Sequence, residues 1–188
     1  MKKILIAVDL QKDFLLDSGK LNLGHDTTEY RKRVAKYIKN FEGLILVTMD
    51  HHRLNSCEFL ANNPKGFPEH CVMGTEGEDL IPEIDNKKID HYFWKHTFSS
   101  NELVRNLKSL YLENNEDSFE LHFIGVCSHI CVFANIAAIV NAFKEDNAFR
   151  FIPKIVVHKN LCDDFNPQLA EASFQMMKNL YCAEIVED

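Results

Sequence analysis

The sequence predicts an α/β protein of the doubly wound, Rossmann-like kind, a three-layer sandwich in which a six-stranded parallel sheet carries helices on both faces. Three observations predict it. Short apolar runs of strand length alternate with longer segments whose apolar residues recur at helical spacing, the signature of successive βα units. The 188 residues, 46% hydrophobic and 26% charged, suffice for one core and are tight for two, so residues 1–188 are read as a single domain. Finally, the reactive side chains fall where the strands end, the edge at which open α/β sheets hold their ligands.

The elements follow in order. Lys3 to Val8 is a buried strand, followed by a polar loop and a helix from about Thr27 to Phe41, in which Tyr30, Val34, Tyr37, Ile38 and Phe41 share one face; Asp26 or Thr27 suits its cap. Gly43 ends that helix and Leu44 to Thr48 forms the second strand. A long loop from Asp50 to about Asp79 comes next, rich in Asn, Pro, Gly and His; loops of that length inside a compact domain are usually functional. Then come a strand near Ile89 to Trp94, a helix from about Asn101 to Leu112 and a strand from Phe119 to Ile124. Gly125 to His129 reads as a turn, followed by a very apolar helix to about Lys144, a strand from Arg150 to Val157, a helix from about Gln168 to Leu180, and a last short strand at Glu184 to Val186.

Composition excludes several classes of function. The formal net charge is −7 with no basic run, so nucleic acid is not an expected partner and the ligand should be small or neutral. The apolar stretch of MKKILIAVDLQKDF ends at Asp9, too short for a secretory signal, and no apolar run approaches the roughly 18–20 residues of a membrane span, so no membrane partner and a cytoplasmic location are expected. The six cysteines suit reduced thiols better than the disulfide framework of a short secreted domain. A homo-oligomer is compatible with all of this.

The chemistry-bearing residues lie at the strand ends. In GVCSHICVFANIAAIV, Cys131 sits in the first turn of a helix, where free N–H groups and the macrodipole favour a thiolate and can hold an oxyanion. Cys127 and Cys131, four apart, would also suit a packing face. A nucleophilic thiol needs a proton acceptor and an electrostatic partner, and Asp9 and Lys95 at two other strand ends supply them. Each alone has a plainer explanation, a capped turn for Asp9 and a snorkelling stem for Lys95; their joint placement favours catalysis.

Three blocks, DLQKDF from Asp9, KHTFSS from Lys95 and GVCSHICV from Gly125, resemble those of the isochorismatase-like cysteine hydrolases in order and spacing, and the resemblance covers nearly the whole chain. It implies an Asp9, Lys95, Cys131 triad, a cis peptide between Val126 and Cys127, and an oxyanion hole made by the amides of Cys127 and Cys131. The thiolate would attack an amide carbonyl, ammonia would leave with a proton from Asp9, and water would hydrolyse the thioester. Where the family often carries Thr-Asp, this chain has Ser128-His129, a difference at the pocket rim.

In the long loop, Asp50 and His52 form a DxH pair whose side chains point to one side of an extended segment, and His70 can complete a site with nitrogen and oxygen ligands. With nine histidines in the chain, solvated loop residues are the competing explanation. These segments resemble the nicotinamidase branch of the family, with FPEHC standing for its WPPHC-like block. That resemblance implies that Asp50, His52 and His70 bind a divalent metal, zinc, iron or manganese, whose open position takes the pyridine nitrogen of nicotinamide, and that Phe14 and Phe67 flank the ring. A fourth ligand stays open, since Ser56 stands where some relatives have His and Glu58 is only nearby.

Four readings compete: a nicotinamidase releasing nicotinate for NAD salvage, a metal-free amidase for carbamoyl or ureido compounds, an isochorismatase proper, and a partner-binding module that kept the fold. The DxH and His70 set disfavours the second. Cys131 disfavours the third, because a thiol nucleophile suits acyl transfer, and the Asp50, His52 and His70 set disfavours it too. The intact Asp, Lys and Cys set disfavours the fourth.

Overall fold

The run KKILIAV forms β1 (Lys2–Val8), exposed at its first two residues and buried from Ile4 onward. Alternate residues serve opposite faces of a strand, so burial of five consecutive side chains requires cover on both sides. The computed structural model, which describes residues 2–113, 119–146 and 152–187, supplies that cover. β2 (Leu44–Asp50), β3 (His91–Lys95), β4 (Phe119–Gly125), β5 (Lys154–Cys162) and β6 (Glu184–Val186) join β1 in one sheet of order β3-β2-β1-β4-β5-β6, every pairing parallel.

The short α1 (Lys12–Leu15) and α2 (Thr28–Asn40) lie against one face, where Tyr30, Val34 and Ile38 of α2 pack on Leu5, Ala7, Ile45 and Val47. α3 (Asn101–Glu113), α4 (Phe133–Glu145) and α5 (Pro167–Tyr181) cover the other, with Leu107, Ile136, Ile139 and Met177 on Ile4, Ile6 and Phe123. The predicted sandwich with helices on both faces is the one observed. At the start of α2 it is Asp26 whose carboxylate accepts the Thr28 amide, at 2.8 Å; at α5, Asn166 accepts the amides of Gln168 and Leu169, both at 3.1 Å.

The long connection between β2 and β3 does what a further helix would do on the α2 face. Cys71, Leu80, Ile81 and Ile84 are buried in that core, so the segment is packed structure despite holding only two short 3₁₀ turns, Glu76–Glu78 and Asn86–Lys88. Among the described residues no helix is long and apolar enough to cross a membrane.

Three sequence expectations are corrected. β5 was expected to end at Val157 but runs on to Cys162; the polar His158, Lys159 and Asn160 interrupt the apolar run, yet the backbone continues through a register shift that pairs Cys162 with Gly125. The expected start of that strand at Arg150 lies outside the described residues. β2 extends to Asp50, so Asp50 ends the strand and does not open the loop. And Cys131 is not in the first turn of an α-helix: a π-helical turn, Ser128–Val132, intervenes between β4 and α4.

Candidate active site

The sheet reverses its winding between β1 and β4, and the ends of these two strands are pressed together at Gly125. A Cβ there would sit 2.0 Å from the Val8 carbonyl oxygen, and φ is +119°, so only glycine fits. Beyond this seam the chain turns sharply on both sides. Asp9 adopts a left-handed conformation with φ 52°, and the Val126–Cys127 peptide is cis. These turns aim Asp9 and Cys131 at a common point, and β3, two strands away, delivers Lys95 to it.

Lys95 Nζ lies 2.7 Å from Asp9 Oδ2, donates to Asp50 Oδ1 and stands 3.5 Å from Cys131 Sγ. All four residues are buried. Thr48 Oγ1 donates to the other Asp9 oxygen at 2.8 Å, leaving Oδ2 with the ammonium as its neighbour and no well-aligned hydrogen bond. Ligand atoms of Asp9, Asp50 and Cys131 lie within 4.8 Å of one another, which sets the thiol beside the Asp9 carboxylate.

Burial pushes the Cys131 thiol well above its ordinary range, more than Lys95 lowers it. This corrects the expectation that a helix start would favour a standing thiolate. Burial likewise raises the Asp9 carboxyl, against the pull of Lys95. Lys95 itself is held well above the usual lysine range, the two carboxylates Asp50 and Asp9 outweighing its own desolvation. The resting arrangement is therefore a thiol beside a base of raised proton affinity, with a permanent cation between them.

Asp50, His52 and His70 come together as the sequence predicted. Burial alone would raise the Asp50 carboxyl, but Lys95, His52 and His70 together bring it below the usual carboxylate range. Asp50 divides its two oxygens: Oδ1 faces Lys95, whereas Oδ2 lies 3.5 Å from His52 Nε2 and 3.6 Å from His70 Nε2. Two donors bound at zinc-like distances with tetrahedral angles are separated by about 3.4 Å, so the spacing suits a shared cation. The outer ring nitrogens are occupied, His70 Nδ1 by the Pro68 carbonyl at 2.7 Å and His52 Nδ1 by Ser56 Oγ at 3.4 Å, which turns both Nε2 atoms inward. The residues present thus fit a divalent metal. Ser56 supports His52 from behind and is not placed as a fourth ligand.

Two residues of the first block hold this triad in place, and both were missed as site residues. Gln11, fully buried, donates Nε2 to the Asp50 carbonyl at 2.8 Å and accepts the Asp50 amide at 2.7 Å. Asp13 accepts the Cys71 amide at 2.7 Å, fixing the residue next to His70, and Gly77 leaves room for that carboxylate. Their spacing, every second residue from Asp9, was the signal that could have found them.

Both clusters reach one pocket, the first through Cys131 and the second through Asp50 and His70. Cys127, Cys131, Asp50 and His70 contribute to its lining, and its apolar walls include Phe14 and Phe67, as expected, together with Leu21, Phe98, Ile130 and Phe165. Phe14 and Phe67 also pack on the His70 ring, at 5.4 and 6.3 Å between centroids. A family model described as isochorismatase domain matches residues 3–187. The chain belongs to the isochorismatase family.

Within this family it is 28% identical, over 200 aligned positions spanning all of both chains, to a Bacillus subtilis (strain 168) protein described as an uncharacterized isochorismatase family protein, PncA. It is 29% identical to the nicotinamidase/pyrazinamidase of Mycobacterium tuberculosis over 105 positions, 52% of this chain and 53% of that one. Its backbone matches the crystal structure of nicotinamidase PncA from Bacillus subtilis with a TM-score of 0.76 at 26% identity, covering 100% of both chains. The isochorismatase-family blocks now have separate duties. The first supplies Asp9, Gln11, Asp13 and Phe14. The second supplies Lys95, Phe98 and Ser100, and the third carries Cys131. Asn135 ties the last two blocks together by donating to the carbonyls of Cys131 (2.8 Å) and Phe98 (3.2 Å) and accepting the Ser100 amide (3.0 Å).

Proposed function

We propose that this chain is an amidohydrolase that converts nicotinamide to nicotinate and ammonia through a thioester on Cys131, the nicotinate serving NAD salvage. The observation that carries the proposal is that a thiol, carboxylate and ammonium cluster and an Asp-His-His cluster share one small, aromatic-walled pocket. The first set suits acyl transfer and the second suits anchoring a heteroaromatic nitrogen. The relatives named nicotinamidase support the same substrate.

The carboxamide enters between Phe14 and Phe67, which flank the ring. Asp9 takes the Cys131 proton as the sulfur attacks the carbonyl carbon, and Lys95 offsets the negative charge that builds on sulfur while the proton moves. The oxyanion is received by the backbone amides of Cys127 and Cys131. As the C–N bond breaks, Asp9 gives its proton to the leaving nitrogen and ammonia departs. Asp9 next deprotonates a water that attacks the thioester, and the carboxylate product leaves as the proton returns to sulfur. A divalent ion held by Asp50, His52 and His70 would supply a Lewis-acid anchor for the ring nitrogen. Because the thiol is protonated at rest, the proton transfer to Asp9 belongs to the attack and does not precede it.

The test is ammonia release from nicotinamide, pyrazinamide and simple carbamoyl amides by the purified protein with metal supplied. Turnover of the pyridine and pyrazine amides is expected; preference for a carbamoyl substrate without metal, or no turnover at all, overturns the reading.

A further inference from the structure

The connection that follows β5 brings to the pocket an aromatic ring that no strand end carries. Phe165 lines the pocket and is 41% exposed, whereas the side chain of its neighbour Asp164 is only 2% exposed. A carboxylate stays buried beside an exposed ring only if polar groups receive it. His129 receives it twice: Nδ1 lies 2.6 Å from Asp164 Oδ2, and the His129 amide donates to the same oxygen at 3.0 Å. The His129 ring meets that of Phe165 edge-on, with centroids 5.3 Å apart. The second Asp164 oxygen accepts the Asn166 amide at 2.9 Å. Ser128 reinforces the join, its amide and hydroxyl both donating to the Asp163 carbonyl at 3.1 Å, and His25 Nε2 lies 3.0 Å from Asp163 Oδ2. The turn that carries the nucleophile is thus latched to the loop that carries Phe165.

We propose that His129 is a positioning residue which, through Asp164, sets Phe165 as the outer wall of the pocket and so decides which ring-substituted carboxamides are admitted. The substrate class rests on the amidase reading above; the latch does not. Both the Nδ1 and the amide of His129 are directed to Asp164 and not to Cys131, so its effect falls on the shape of the pocket. An asparagine at 129 would place Nδ2 about where the imidazole places Nδ1, which makes it the conservative replacement.

The experiment compares wild type, His129→Ala, His129→Asn, Phe165→Ala and the double variant His129→Ala/Phe165→Ala. Two readouts are taken: hydrogen exchange of the amides of residues 163–166 without substrate, and KM and kcat for nicotinamide and a ring-methylated nicotinamide. In His129→Ala, exchange at Asp164 and Asn166 is expected to speed up about tenfold, the worth of a charge-assisted hydrogen bond. KM for nicotinamide should rise about fivefold with a smaller change in kcat, and the discrimination between the two substrates should narrow. His129→Asn should restore both. The double variant should be no worse than Phe165→Ala alone, because the two residues act in series.

Unchanged exchange and unchanged KM in His129→Ala overturn the proposal, as does a kcat loss at constant KM or simple additivity in the double variant. A wild type that turns over no carboxamide overturns the amidase reading and the selectivity role with it, while faster exchange in His129→Ala would still establish the latch.

Discussion

Gln11 holds Asp50 by both of its backbone groups, accepting the amide at 2.7 Å and donating to the carbonyl at 2.8 Å. One side chain of the β1 loop thereby sets the height of the residue that Lys95 and the two histidines share. Gln11→Ala leaves two buried backbone groups of Asp50 bare, each worth about 1–3 kcal/mol. The expected outcome is a lower denaturation midpoint together with weaker metal affinity in a chelator competition. Loss of stability with unchanged metal affinity would show that Asp50 keeps its position without this grip.

Cys131→Ala should abolish turnover while leaving the circular dichroism spectrum and the unfolding transition close to wild type. Appreciable residual hydrolysis would remove Cys131 from the nucleophile role.

Asp9→Asn is expected to lower kcat by roughly 10²–10⁴-fold, the usual loss when a positioned base is removed. The ion pair with Lys95 goes too, but Asp50 still faces that ammonium. A change of less than tenfold in steady-state assays would demote Asp9 to holding Lys95 in place.

His52→Ala and His70→Ala should each strip metal and raise KM for nicotinamide more than they lower kcat, since on the proposed reading both hold the ion that would anchor the ring and neither acts on the sulfur. Elemental analysis after dialysis checks the first effect. Metal content equal to wild type in both variants would rule out the site.

Stability should depend on pH through His122. Its ring is buried against His158 (2.8 Å between Nδ1 and Nε2), and burial followed by the His158 charge lowers its pKa, the nearby Glu120 opposing them. A depressed folded pKa means that the contribution is complete above the unfolded value of about 6.5 and is lost as pH falls through and below it. Between pH 7.5 and pH 5.5 the urea midpoint of wild type should therefore fall more than that of His122→Asn. Parallel curves for the two proteins would refute the assignment.

Much of the site was legible because the sheet is parallel. Every strand then ends at the same edge, so locating the ends of β1, β2, β3 and β4 in the sequence was enough to place Asp9, Asp50, Lys95 and Cys131 together. The Asp50, His52 and His70 cluster was legible from DxH and a later His because the His52–Val72 bridge closes the loop between them. What escaped depends on contacts made only after folding. Phe98 and Phe165 reach the pocket from connections whose paths are set by Asn135 and by the His129–Asp164 pair, and no periodicity marks them. The end of β5 escaped because His158 interrupts the apolar run while being satisfied by Tyr37 and His122. The protonated state of Cys131 escaped because it follows from the closure of the pocket around the sulfur, whereas the turn holding it is local.

The order β3-β2-β1-β4-β5-β6 also divides the working parts between the two halves of the chain. Asp9, Lys95 and the three candidate metal ligands all belong to the half that ends with α3, whereas Cys131 belongs with Cys127 and Phe165 to the half that begins with β4. Any partial opening along the β1–β4 seam separates Cys131 from Asp9 while leaving Asp50, His52 and His70 on one piece. On the proposed reading, inactivation by heat can then precede release of a bound ion, and a preparation that retains such an ion is not for that reason competent.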